Sequence, residues 1–217
     1  PGWHMVINDK KGPAFARPGG FLFSSDGKHY AYSALIKNNW TVISSVLPDY
    51  QQGPALESIR HLSFPPFSST LLYLGVKDNQ QALYVNGHKE QEYQSVGIPI
   101  VAPETNDIAY VAFDGDKMVM VVNSQEHPKQ YDIIGTAQKT AEGTIVPRNQ
   151  FPFFSPAGDR LAYPVINDKK AFMVVDGKEQ KKYDAVSPPC FSPDGAHVAY
   201  MAGENDQWFI VIDGREG

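Results

Sequence analysis

Cysteine is nearly absent. Cys190 stands alone among 217 residues, which excludes an intramolecular disulfide framework and any zinc cluster built on thiolates. It lies beside Phe191 in an apolar segment, where a free thiol acts as a small hydrophobe, so it is expected to be buried and inert. No run of 18 apolar residues occurs, which excludes a membrane-spanning helix. Charged residues make up 20% of the chain with a formal net charge of −5. No dense Lys/Arg cluster offsets that acidity, so broad electrostatic binding to nucleic acid or an anionic membrane is excluded. Catalytic signatures are missing as well: no Gly-x-Ser-x-Gly elbow, no phosphate-binding glycine loop, no His-Glu-x-x-His. The six histidines, His4, His29, His61, His88, His127 and His197, are scattered, and neither a metal nor a cofactor is expected. The chain opens on Pro1 with no leader, so it reads as a piece of something longer.

What is present is a repeat. An apolar pair, a Ser-Pro-Asp-Gly-like turn, an Ala-Tyr strand, a polar turn and a strand ending near Asp-Gly recur along the chain. The clearest copy runs Phe191-Ser192-Pro193-Asp194-Gly195, Val198-Ala199-Tyr200, then Trp208 to Gly214. The closing tyrosine recurs as Tyr32, Tyr73, Tyr110, Tyr163 and Tyr200, at spacings of 41, 37, 53 and 37 residues. The underlying unit is thus 37 residues with two insertions. A strand-only unit of that length cannot bury its own faces, and stacking copies solves the problem.

Each copy resolves into four short strands. The first, such as Phe151 to Phe154 or Pro188 to Phe191, is apolar at successive positions and is expected innermost, buried on both faces. The turn that follows uses Pro to preset φ, Asp26 or Asp194 to bond its own backbone, and Gly to accept positive φ. Small Ala in the second strand leaves room for a neighbouring sheet. The fourth strand carries an aromatic, Phe15, Tyr93, Tyr131 or Tyr183, with Tyr50 aligned in the first full copy. Trp3 to Asn8 align with Trp208 to Asp213, so the chain begins in a third strand.

Tandem four-stranded antiparallel sheets of this kind predict an all-β chain, a β-propeller of four-stranded antiparallel blades. The unit resembles the propeller repeats of TolB-type proteins, a WD-like branch, most closely in its last two copies. Residues 1–217 are expected to form a single propeller domain. Its blade repeats fall at about 21–52, 62–97, 98–133, 151–187 and 188–217, with 1–20 a partial blade. Five blades are visible, and six or more follow if the chain is a fragment.

Propeller glycosidases project acids from inner strands. None of the first strands here contains Asp or Glu, so no catalytic residue is assigned and the chain is expected not to be an enzyme. Binding remains. Two insertions, near Asp49 to His61 and Ile134 to Gln150, read as fourth-to-first connections on one face, and loops on a rigid scaffold carry recognition. Trp3, Trp40 and Trp208 open third strands toward the same rim and are candidate anchors, although packing between blades would also explain them. Arg60, His61, Arg148 and Asn149 flank the insertions and are candidate polar contacts.

The first expectation is a non-catalytic scaffold for another protein. The TolB-type resemblance implies a bacterial envelope protein, periplasmic or secreted, with a cytoplasmic location left open. Three alternatives stand beside it: the gating propeller of a larger prolyl-oligopeptidase-like hydrolase, a carbohydrate-binding propeller that takes a glycan on the tryptophan rim, and a homo-oligomer or filament joined through open strand edges.

Overall fold

A computed structural model describes residues 2–47, 52–139, 145–148 and 152–217, with 137–139 and 145–148 described by backbone alone. The described residues contain strands and turns and no helix. They form two compact units, Pro1–Gln94 and Ser95–Gly217.

The first unit opens with a half-blade, Trp3–Ile7 paired antiparallel with Lys10–Phe15. The first full blade follows as Arg17–Phe23, Tyr30–Ile36 and Asn39–Ser44, with Gln52 and Leu56 bridging to Ile43 and Trp40 in place of a continuous fourth strand. The second blade is Ser58–Ser63, Leu72–Lys77, Gln80–Val85 and His88–Tyr93. In the second unit, each blade has a first strand split in two. The third blade comprises Ser95–Val96 with Ile100–Val101, then Ile108–Asp114, Lys117–Val122 and Gln125–Tyr131. The fourth comprises Ile133–Ile134 with Phe153–Phe154, then Leu161–Asn167, Lys170–Val175 and Lys178–Glu179. The fifth comprises Ala185–Val186 with Cys190–Phe191, then Val198–Glu204, Gln207–Ile212 and Arg215–Glu216. Within each sheet the strands pair antiparallel in chain order. Sequential four-stranded sheets that pack face to face on their successors are propeller blades.

The Ala-Tyr pair explains that packing. Side chains alternate along a strand, so adjacent residues face opposite sides of the blade. Tyr163 points back into a cluster with Ala109, Val111 and Met120 of the third blade, while Ala162 points forward into a cluster with Tyr200 of the fifth. Ala31 and Tyr73 repeat the relation in the first unit, and Tyr32 packs back against Phe15, Met5 and Ile7 of the half-blade. Tyr32, Tyr73, Tyr163 and Tyr200 are therefore knobs, and Ala31 and Ala162 are the holes for Tyr73 and Tyr200. Met173 and Phe172, fully buried on opposite faces of one strand, show what these joints are worth: truncating such a side chain to alanine costs about 2–5 kcal/mol.

Turns follow the sequence closely. Ser24, Ser155 and Ser192 each accept a backbone N–H from the residue that precedes the second strand, at 3.0, 3.2 and 2.9 Å. Asp26 and Asp194 accept from the backbone of Lys28 and Ala196 at 3.0 Å, as turn formers. The third strands of four blades end in Asn86, Asn123, Asp176 or Asp213 at φ of 47 to 50°. Each of these side chains accepts an N–H at the start of the second strand, from Leu71 just before it or from Ile108, Leu161 or Val198 that open it, at 2.8 to 3.0 Å.

Two expectations are corrected, and a third falls outside the described residues. The first strands are not buried on both faces: Phe21 and Phe23 are 41% and 55% exposed, Ile98 is 44% exposed, and Cys190 is exposed too. A first strand pairs on one side only, and the blade-to-blade clusters draw mainly on the second and third strands. The insertions are not fourth-to-first connections. The Trp40–Leu56 and Ile43–Gln52 bridges put the first insertion between third and fourth strands. The second interrupts a first strand, because Ile133–Ile134 and Phe153–Phe154 both pair with Leu161–Asn167, and the hairpin Thr136–Lys139 with Ile145–Arg148 rises between them. Finally, Leu56 takes the aromatic position opposite Trp40 that Phe15, Tyr131 and Tyr183 hold opposite Trp3, Met118 and Ala171. Tyr50, aligned to that position, lies outside the described residues.

Candidate interaction surfaces

Several titratable groups among the described residues brace turns and blade joints. Among the described residues no group of three or more His, Cys, Asp or Glu is placed to hold a metal ion. Five histidines have a hydrogen-bond partner: His4 meets the Gly12 carbonyl at 2.9 Å, His29 meets Ser45 Oγ at 3.3 Å, His61 meets Ser63 Oγ at 3.3 Å, His127 meets the Tyr163 hydroxyl of the next blade at 3.0 Å, and His197 meets Asp213 Oδ2 at 2.5 Å. His29 and His197 sit at one repeat position, each against the residue that closes the third strand of its own blade. The Asp213 carboxylate lifts His197 above the ordinary imidazole range, and His197 in turn lowers Asp213. His127 moves the other way, because burial disfavours its cation.

Charge is spent on the joints. Asp132 pairs with Lys117 of the third blade and accepts the backbone N–H of Asp168, in a turn of the fourth, at 2.9 Å. Asp184 repeats this with Lys170 at 2.8 Å and the Asn205 N–H at 3.1 Å. Arg160 bonds Asp176 in its own blade at 3.0 Å and donates to the Gly195 and Ala196 carbonyls of the next at 3.1 and 2.7 Å.

The candidate anchors separate into different settings. Trp40 is half-buried, with the Arg17 guanidinium 5.5 Å above its ring and Gly19 beneath, too close for a Cβ. It packs within its own blade. Trp3 is 71% exposed in the half-blade. Trp208 lies across Gly203, the residue it pairs with, and remains 56% exposed. Arg60 and His61 are adjacent and exposed in the second blade's first strand, where the register shifts and His61 has a φ of 49°. Arg148 falls in the inserted hairpin, and Asn149 lies outside the described residues.

Two surfaces were not singled out by the sequence. On the fifth blade, Met201, Trp208, Ile210 and Ile212 share one face and are 48 to 56% exposed. The corresponding fourth-blade residues, Met173 and Val175, are 0% and 7% exposed beneath the fifth blade. Parity along Gln207–Ile212, read against the fourth blade, was the signal that would have found this face. The other is Phe67, 88% exposed at a φ of 63°. It occupies the third position of the turn Pro65–Ser68, closed by Ser68 N–H on the Pro65 carbonyl at 3.2 Å, where Gly or Asn is expected.

No family model matches the chain, and no curated protein matches it. Among solved structures it is similar to the β-propeller domain of the Trilobed protease from Pyrococcus furiosus, at 13% identity and a TM-score of 0.42, over 92% of this chain and 70% of that one. It is similar to TolB from Acinetobacter baumannii at 12% identity and a TM-score of 0.40, over 86% of this chain and 48% of that one. It is similar also to an acylaminoacyl peptidase from Pyrococcus horikoshii at 14% identity and a TM-score of 0.44, over 92% and 38%. The chain spans about half the length of that TolB and well under half of that peptidase. Likeness at this level assigns no activity, substrate or partner.

Proposed function

We propose that the chain is a non-catalytic β-propeller scaffold that binds another protein through the open face of its fifth blade. The observation that carries this reading is the contrast between Met201, Trp208, Ile210 and Ile212, all substantially exposed, and Met173 and Val175, covered on the equivalent face one blade earlier. Contiguous exposed apolar side chains on a rigid sheet mark an interaction site, and a large aromatic at such a site is a favoured anchor. The bacterial envelope is the proposed location, carried by the repeat resemblance alone.

The test is capture by cross-linking in a native extract, followed by reconstitution with the purified partner. Trp208→Ser and Ile210→Ser are expected to weaken that complex at least tenfold while the circular dichroism of the chain is unchanged. An affinity unmoved by both would overturn the reading.

A further inference from the structure

Two successive blade joints treat the same buried hydroxyl differently. Between the third and fourth blades the knob Tyr163 is buried, and its hydroxyl meets His127 at 3.0 Å. The position recurs one blade later: Glu126 opposite Val121 and Glu179 opposite Val174 make Gln180 the counterpart of His127, and Tyr200 is the counterpart of Tyr163. Gln180 does not take up the role. Its amide nitrogen turns to the Lys178 carbonyl at 3.2 Å, and the hydroxyl of Tyr200, a residue 4% exposed, is buried with no hydrogen-bond partner. The Tyr183 hydroxyl beside it is spent on Glu216 at 3.1 Å. Burial, above all, raises the pKa of Tyr200, so it keeps its proton and remains a donor. A buried hydroxyl left unbonded is destabilising, and a group that bonds it recovers the loss. Tyr73 lacks a partner too, but there Gly53 packs against the hydroxyl, and a Cβ on it would stand 3.0 Å away.

Over Tyr200 the joint opens into a cavity of about 370 Å³, within the size range of small-molecule sites. Its lining belongs to the fourth and fifth blades, both of which have all four strands. Val175, Ala196 and Val198 give it apolar walls. The two charged groups at its edge are already held. Arg160 bonds Asp176 and the Gly195 and Ala196 carbonyls, and Asp213 holds His197 and the Val198 N–H. A charged ligand would therefore meet no unpaired counter-ion and would lose hydration on entry. A neutral hydroxyl group can accept from Tyr200 and donate to the Gln180 amide oxygen, which lies in the same cavity beside Gly214.

We infer that this cavity binds a small neutral molecule with an apolar body and one hydroxyl group, a phenol or an alcohol, whose oxygen bonds Tyr200 in the way His127 bonds Tyr163. The bound molecule bridges the fourth and fifth blades where the chain supplies no bridge of its own. Ligand binding then tightens that joint and raises the stability of the folded chain. The site goes beyond the protein-binding reading and does not rest on it. Val198 and Tyr200 face the fourth blade, whereas Met201, Trp208, Ile210 and Ile212 lie exposed on the other side.

The probe is phenol, titrated into the whole chain and followed by two-dimensional proton–nitrogen NMR, with toluene and benzoate as controls. Phenol is expected to saturate at millimolar concentration and to shift the amides of Gln180, Ala196 and Val198. Toluene, which lacks the hydroxyl, and benzoate, which carries a charge, are expected to bind about fivefold more weakly. Tyr200→Phe is expected to weaken phenol by about the same factor and to leave toluene unchanged. Gln180→His gives this joint the side chain of the previous one, and is expected to abolish phenol binding while the melting temperature holds or rises. No saturation at the solubility limit, equal binding of phenol and toluene, or phenol affinity indifferent to both variants would overturn the site and leave the Tyr200 hydroxyl to water. Shifts confined to Met201, Trp208 and Ile210 would overturn it as well, by placing phenol on the open face. The fifth-blade protein contact stands or falls separately, by Trp208→Ser and Ile210→Ser.

Discussion

Tyr131 of the third blade donates its hydroxyl hydrogen to Glu179 of the fourth, at 3.2 Å. Tyr183 does the same to Glu216 of the fifth at 3.1 Å. The same carboxylates take a lysine each from the earlier blade, Lys129 and Lys181. The fourth-strand aromatic is thus a core residue by its ring and a joint by its oxygen.

Removing that oxygen tests the joint. Tyr131→Phe is expected to cost about 1 kcal/mol, at the low end for a bond to a charged group because Glu179 is partly solvated. The melting temperature should fall by about 2–4 °C. Glu179→Gln combined with Tyr131→Phe should cost less than the two single losses added together, since they break one interaction. Strict additivity in chemical denaturation would show that the pair is not coupled.

Phe67→Asn should stabilise the chain. A bulky residue at positive φ carries strain of about 1–3 kcal/mol, and Asn tolerates that conformation. A gain of about 1 kcal/mol is expected, read as a rise in melting temperature. A fall would mean that the exposed ring contributes packing that Asn cannot replace.

Gly75→Ala should do the opposite. A Cβ there would stand 2.5 Å from the Tyr84 ring and 2.8 Å from Leu56 Cδ1, both of which are buried. Overpacking of this kind costs about 1–3 kcal/mol. Urea denaturation of the variant checks it, and a cost below a few tenths would mean that the ring moves aside freely.

Two histidines predict opposite pH responses. Burial depresses His127, so its contribution to stability is present above the unfolded value of about 6.5 and is lost as pH falls toward its folded value. Asp213 raises His197, whose contribution is full below about 6.5 and is lost as pH rises through its folded value. Relative to the parent, His127→Gln should lose less stability on acidification from pH 7 to 5, and His197→Gln should lose less on going from pH 6 to 8. Proton NMR titration should place the His197 midpoint above that of His127, and the reverse order would refute the assignment.

The repeat was legible because its signals are local. Turn residues declare themselves by chemistry at fixed offsets, and Ala-Tyr is a steric instruction written in two letters. Burial of the first strand was misread because an unbroken apolar run looks the same whether neighbours cover it or not. Pairing decides the matter, and Cys190 lies on a strand that pairs on one side. The insertions were misplaced for a related reason: Ile133–Ile134 and Gln52 to Leu56 are too short to show as strands until their partners are known. Trp208 could be aligned with Trp3 and Trp40 by letter, but its exposure depends on how it lies across Gly203.

Some of the contacts that fasten one blade to another reach forward. Tyr131, Tyr183 and Arg160 all find their acceptors in the blade that follows them in the chain. Protein synthesis runs in that direction too, so a nascent chain carries donors awaiting acceptors at its growing end. Another 33 residues for Tyr183, and 48 for Tyr131, must be made before the waiting groups are met. Order of manufacture and order of fastening then coincide, and a ribosome that stalls between copies leaves an unlatched sheet as the last thing it has built.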